Sequence, residues 1–266
     1  MKEQIRAYIT ESCPWQDSVL YFDSIDSTNT HAKMLAAGGA PHGTVLIADH
    51  QTGGRGRLGR SFLSPAGCGI YMSVILRPNC PPVQLMHLTC AAAVAMCDAV
   101  EASAGFRPGI KWTNDMVYGG KKLAGILTEL SISASGLVDY AIVGVGINCS
   151  QRPQDFSEEI RSMAGSLSMA AGRTVERPRI AAAMIESLYR MDRELLTAKA
   201  ALMDRYRADC VTLGRDISLV KADGSVRYGT AVGIDDEGAL LVRFGDGAEE
   251  AVNSGEVSVR GMYGYA

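Results

Sequence analysis

The sequence predicts a mixed α/β domain followed by a small all-β module, and three observations carry that expectation. Strand-like and helix-like segments are interleaved over about the first two-thirds of the chain. After about Cys210 the character changes to short strand candidates separated by tight-turn residues, which reads as a small barrel. Composition allows both parts a core: 47% of the 266 residues are apolar and 21% charged, ordinary values for a soluble globular chain.

Taken in order, "DSTNTHAKMLAAGG" begins with Ser27 or Thr28 as the N-cap of a short helix that stops at Gly38. Thr44–Asp49 is short, apolar and β-branched, as a buried strand should be, and Gly69–Pro78 reads likewise until its proline. Pro82–Ala104 has helical composition with Gly105 as its stop. Lys122–Ser133 and Leu137–Ser150 are two neighbouring strands joined at Ser133–Gly136. Pro178 opens a helix on which Ile180, Met184, Leu188, Met191 and Leu195 recur at helical spacing. Beyond Cys210, Val211–Val220, Ser225–Asp235, Gly238–Gly245 and Val257–Arg260 are strand candidates. The turn chemistry of Asp223-Gly224, Asp236-Glu237-Gly238 and Gly245-Asp246-Gly247 sets them apart.

The bulk numbers exclude several classes. The formal charge is −3, and five Lys/Arg against nine Asp/Glu leave residues 211–266 at −4, so no basic field draws this chain to nucleic acid. The N-terminus lacks the apolar run of a secretory signal, and the stretch Leu88–Val100 reads as too short and interrupted to span a bilayer. Seven scattered cysteines with no C-x-x-C pair argue against a disulfide framework and against a cysteine-based zinc site; a reducing cytoplasm is expected.

Three stretches carry chemistry. "GGRGRLGRS" (Gly53–Ser61) comes within one residue of a P-loop, with Arg60 where lysine would stand. A P-loop needs a helix immediately after it, and "SFLSPAGCGIYMS" leads into a strand instead. What remains is a loop of glycines, which allow close backbone approach, and arginines, whose planar forks suit carboxylate and phosphate. An anionic ligand explains it better than a solvated loop or an RNA-binding Arg-Gly segment. The second stretch, "KWTNDMVYGGKKLAGILTE" (Lys111–Glu129), clusters Lys111, Asn114 and Asp115 before a hairpin turn at Tyr118–Lys121 that returns Lys122. It fits either an ordinary charged hairpin or a Mg²⁺-phosphate site. Gly125 within the returning strand marks close approach of a ligand or backbone. The third, "DSTN" (Asp26–Asn29), is a helix cap that could also face a small polar ligand.

In this order the three stretches, with "HQTGGRGRLGR" (His50–Arg60), "VGVGINCS" (Val143–Ser150) and the C-terminal "DEGALLV…SGEVSVR", make the chain resemble a biotin–protein ligase. The resemblance covers the chain from about residue 20. It implies an α/β fold of the α+β type: a mixed-sheet catalytic domain of the biotin/lipoate ligase kind over 1–210, then an SH3-like β-barrel over 211–266. It implies activation of biotin by ATP, with Mg²⁺, to biotinyl-5′-AMP and transfer to a lysine of a biotin carboxyl carrier protein or domain. By motif position Ser27, Thr28, Asn29 and Gln51, with Gly54, Arg55 and Gly125, would form the biotin pocket. Arg57 and Lys122 would be catalytic and contact the biotin carboxylate. Arg57, Arg60, Lys111, Asn114 and Asn148 would serve ATP and its phosphates, and Asp115 its Mg²⁺. Thr113 stands where the family often has proline, and Phe62 where a tryptophan is common. About 20 residues precede the first motif, so no DNA-binding domain, no direct DNA contact and no membrane association are expected; monomer and homodimer stay open. The Gly-Arg loop, with little apolar material, is expected to order when biotin binds. Lipoate or octanoate ligation is the alternative enzyme; no R-R-x-x-G-G-G signature supports it.

Overall fold

The computed structural model describes residues 1–221, 223–253 and 257–261. The chain runs α1 (Lys2–Tyr8), β1 (Val19–Phe22), α2 (Thr28–Ala37), β2 (Thr44–Ala48), β3 (Gly69–Leu76) and α3 (Leu88–Ala104). It continues through β4 (Gly109–Lys111), β5 (Asp115–Tyr118), β6 (Lys121–Ile132), β7 (Val138–Asn148), α4 (Glu158–Arg161) and α5 (Leu167–Ala171). Next come α6 (Arg177–Glu194) and α7 (Lys199–Asp209), then β8 (Asp216–Lys221), β9 (Val226–Ile234), β10 (Leu240–Phe244), β11 (Glu249–Val252) and β12 (Val257–Gly261).

Seven strands form one mixed sheet in the order β1-β2-β3-β7-β6-β5-β4. Only β1 and β2 pair in parallel; the other neighbours are antiparallel. Alternation along the central strands sorts the faces. Ile70, Met72, Val74 and Leu76 of β3, with Ala141, Val143, Val145 and Ile147 of β7, join the main core. Helix α3 packs there between β6 and the helices α6 and α7. On the opposite face Leu46, Ile75 and Ile142 pack against Ala32 and Ala36 of α2. This second helix covers only part of its face, and the uncovered part is where the cavity lies.

Local signals explain most boundaries. Ser27 caps α2 through its Oγ, which accepts from Thr30 N at 3.4 Å, and Gly38 ends the helix. Gly105 stops α3 with φ of +84°, and a proline sits in the first turn of α6. Two expectations need correction. Pro82–Ala104 is long and apolar enough to cross a membrane by length and composition, so excluding a span on length was too strict; 72% of the window is buried within the protein, as a core helix would be. The stretch Val211–Val220 is strand only from Asp216, because Gly214 turns the chain with φ of +75°.

The C-terminal strands form an antiparallel sheet in the order β11-β10-β9-β8-β12, the SH3-like element expected. Among the described residues β11 and β12 do not pair with each other, so no closed barrel is seen. Ser254–Glu256 of the "SGEVSVR" motif lie outside the described residues.

Candidate active site

The floor of the site is a stretch of sheet stripped of side chains. Across it Asp115, Gly125, Gly146 and Tyr71 stand in register on successive strands, and Leu127, Gly144 and Ser73 form the next row. A methyl on Gly144 would sit 1.9 Å from Asn29 Oδ1, and one on Gly146 would sit 2.6 Å from Phe62 Cε1. The glycines thus let a helix terminus and a loop aromatic lie directly on the sheet. Above the floor is a cavity of about 440 Å³, within the range of small-molecule sites.

The D-S-T-N segment forms one wall as the first turn of α2. Thr28 donates to Gln51 Oε1 from its N (2.8 Å) and its Oγ1 (3.0 Å). Gln51 Nε2 donates to Ser64 Oγ at 2.9 Å, so the glutamine ties the helix start to both ends of the Gly-Arg loop. Ser73 Oγ, fully buried, lies 2.8 Å from Thr28 Oγ1 and 2.6 Å from Asn29 Oδ1. Asn29 Nδ2 donates to Leu127 O (3.2 Å) and Glu129 Oε2 (3.0 Å). Ser27, Thr28 and Asn29 are all at most 5% exposed, which fixes their orientation.

The Gly-Arg loop leaves β2 and re-enters β3 with one 3-10 turn at Arg57–Gly59 and no α-helix, as its sequence context requires. Gly56 N donates to Arg60 O (2.7 Å) and Phe62 N to Gly54 O (2.9 Å), folding it into a small hairpin. Its tip turns through Leu58 at φ 55° and Gly59 at φ 71°. A side chain on Gly54 would meet Phe62 O at 2.3 Å and Ser64 Oγ at 2.6 Å, so only glycine fits the crossing. Arg57 Nη1 donates to Asn114 Oδ1 at 3.0 Å. Burial lowers the Arg57 pKa, with the Arg60 charge acting the same way and Asp115 opposing both. An arginine keeps its charge under such a shift, so the cation is held in low-dielectric surroundings, where its field is strongest.

The K-W-T-N-D stretch closes the far side. Lys111, 8% exposed, ends β4, and Asn114 Nδ2 holds Ile126 O at 2.7 Å. Trp112 is buried, its Nε1 donates to Gly238 O of the C-terminal module at 2.9 Å, and the Trp112–Thr113 peptide is cis. Gly119 and Gly120, at φ 55° and 74°, make the hairpin turn between β5 and β6. The register then slips: Met116 pairs with Ala124 but Val117 with Lys122, leaving Leu123 as an extra residue. This bulge re-aims the strand, so Lys122 shares the cavity face with Gly125 three residues on. Lys122 Nζ meets Asp115 Oδ1 at 2.5 Å.

The structure brings all the residues expected from the sequence to this cavity except Gly54 and Asn148. Gly54 lies just behind it, packed on Gln51, Phe62 and Ser64. Asn148, at the end of β7, is 7% exposed; its Nδ2 donates to Gly165 O and its Oδ1 accepts from Gln151 Nε2. The sequence reading missed Ser73, Glu129, Gly144 and Gly146. The alternating glycines of "VGVGIN" were a usable signal of a bare strand face, whereas Ser73 sits in an apolar run with nothing to mark it. Val259 of β12 also reaches the cavity lining.

Residues 21–148 match the Biotin/lipoate A/B protein ligase family, and residues 212–260 match the Biotin protein ligase C terminal domain. The chain is 37% identical over 233 residues to the Bifunctional ligase/repressor BirA of Bacillus subtilis, covering 87% of this chain and 71% of that protein. To the Biotin--[acetyl-CoA-carboxylase] ligase of Mycobacterium tuberculosis it is 36% identical over 236 residues, covering 87% and 85%. Among solved structures, the Biotin protein ligase from Aquifex aeolicus in complex with biotin and ATP superimposes with a TM-score of 0.77 at 29% identity, over 91% of this chain and 98% of that one. Sequence motifs, sheet topology and these likenesses agree: the chain belongs to the biotin protein ligase family.

Proposed function

We propose that this protein joins biotin to a carrier-protein lysine at the expense of ATP, in two steps within the one cavity. The observation that carries the reading is the meeting of a polar, glycine-floored pocket with four cations, Arg57, Arg60, Lys111 and Lys122, on its other walls. In the first step a biotin carboxylate oxygen bonds to the α-phosphorus of ATP and the bond to the β-phosphate bridging oxygen breaks, giving biotinyl-5′-AMP and pyrophosphate. In the second, a neutral carrier lysine amine attacks the acyl carbon, AMP leaves, and the amine's proton is lost.

Ser27, Thr28, Asn29 and Gln51, with the backbone near Gly54, Arg55 and Gly125, face the ureido ring. Arg57 and Lys122 take the carboxylate and the α-phosphate, offsetting repulsion between two anions and stabilising the charge that develops in transfer. Phosphate replaces Asp115 as partner of Lys122. Arg60, Lys111 and Asn114 serve the triphosphate, and Asn148 the nucleotide. Among the described residues no group of three His, Cys, Asp or Glu could hold a metal ion. This donor set fits a Mg²⁺ that arrives on the phosphates and keeps water ligands, with Asp115 as its carboxylate; the ion would neutralise phosphate charge. The Gly-Arg loop shields the mixed anhydride from water.

The acceptor is a biotin carboxyl carrier protein or domain. The catalytic unit spans 1–210 and the C-terminal module 211–266, a division supported by the two separate sheets. We place the protein in the cytoplasm, supported by seven free cysteines, six of them buried. The test is incubation with biotin, Mg-ATP and an acceptor domain. Absence of both biotin on the acceptor and biotin-dependent ATP–pyrophosphate exchange would refute the reading, and preference for lipoate over biotin in competition would redirect it.

A further inference from the structure

We propose that Glu129 is a positioning residue that joins the two halves of the biotin pocket by holding two cations together. It stands on β6 behind the cavity wall, and its carboxylate bridges two further elements, α2 and the Gly-Arg loop. Its Oε2 accepts from Asn29 Nδ2 at 3.0 Å, in the first turn of α2. Its Oε1 accepts from Lys33 Nζ at 2.8 Å, one helical turn later. Arg55 Nη1, from the Gly-Arg loop, reaches Oε1 at 3.1 Å and Oε2 at 3.2 Å. The inference rests on the biotin-ligase reading, because Asn29 and Arg55 are assigned there to biotin.

The chemistry is specific. Lys33 and Arg55 bond the same oxygen, so their charged heads are neighbours. Without the carboxylate between them they repel, and the loop carrying Arg55 is driven from the helix carrying Asn29. Asn29 would then be held by Leu127 O and Ser73 alone. The Glu129 side chain is 21% exposed, so water screens the pairing only in part. Burial by itself would raise the carboxyl pKa, but hydrogen bonds from Lys33 and Asn29 and the Arg55 charge outweigh it and hold the group below the usual glutamate range.

The experiment measures KM for biotin, KM for ATP and kcat by pyrophosphate exchange. Glu129→Gln keeps the shape and removes the charge. We expect KM for biotin to rise about tenfold, the low end for losing hydrogen bonds to a charged group. kcat and KM for ATP should stay within about twofold of wild type, as expected when ground-state and transition-state binding are lost alike. Adding Lys33→Gln removes one of the repelling cations and should recover about a third of the loss, while about 1 M salt should shrink the Glu129→Gln defect by screening. A merely structural role would produce neither recovery. An unchanged KM for biotin, a defect confined to kcat, or a double variant no better than the single overturns the proposal. If Glu129→Gln does not fold, Arg55→Gln, whose side chain is 43% exposed, must raise KM for biotin; an unchanged value overturns it. Wild-type exchange that does not depend on biotin would refute the parent reading, whereas a biotin-dependent wild type with an indifferent Glu129→Gln refutes this role alone.

Discussion

Gly144→Ala tests the central claim that bare sheet seats the start of α2. The new methyl would lie 1.9 Å from Asn29 Oδ1, 2.6 Å from Cγ and 2.8 Å from Nδ2, where ordinary contact begins at 3.4 Å. Asn29 must therefore retreat by about 1.5 Å, which is enough to break hydrogen bonds. Those at stake reach Leu127 O, Glu129 and Ser73. Overpacking of this kind costs about 1–3 kcal/mol, and each hydrogen bond lost adds about 1 kcal/mol. With one of the three bonds lost, a net destabilisation of about 2–4 kcal/mol should lower Tm by about 5–10 °C, with KM for biotin rising more than KM for ATP. Thermal melts and biotin-dependent pyrophosphate exchange read both quantities. Because the clash is with one side chain, adding Asn29→Ala should make the pair less destabilised than the sum of the single variants. A Gly144→Ala protein that melts like wild type and keeps its KM for biotin would refute the geometric argument.

Three further outcomes follow from the same geometry. Lys122→Ala should slow adenylate formation by about 10²–10³-fold, the scale for losing one transition-state donor; single-turnover kinetics measure it, and a wild-type rate rejects Lys122 as the catalytic cation. Trp112→Phe removes the buried donor to Gly238 O and should cost about 1–3 kcal/mol by denaturant unfolding; an unchanged midpoint would mean that this bond does not help dock the C-terminal sheet. The lowered Glu129 pKa sets a pH dependence. Its stabilisation is complete above the unfolded glutamate value of about 4.3 and is lost as pH falls through the lower folded value. The stability gap between wild type and Glu129→Gln should therefore be widest at neutral pH and narrow on acidification below about pH 4; a gap constant with pH contradicts the pairing.

Local sequence determined what local physics controls. A cap at Ser27 or Thr28, the Gly38 and Gly105 stops, the Gly119–Gly120 turn and the helix opened by Pro178 were each legible, because capping and positive φ depend on a few adjacent residues; the structure decides for Ser27. The absent helix after "GGRGRLGRS" was legible for the same reason, and it excluded a P-loop before any fold was known. The lower limit of β8 was misread because the turn at Gly214 interrupts an otherwise strand-like pattern. What the sequence could not supply was register between distant strands. Asn29 meets Glu129 across 100 residues, and Gly144 makes room for Asn29 only because β7 lies between β3 and β6. The bulge at Leu123, which turns Lys122 toward Asp115, exists only in the pairing of two strands. Residue types thus determined which chemistry was possible, and tertiary pairing decided which side chains face one another, since strand register depends on long-range packing that no short segment encodes.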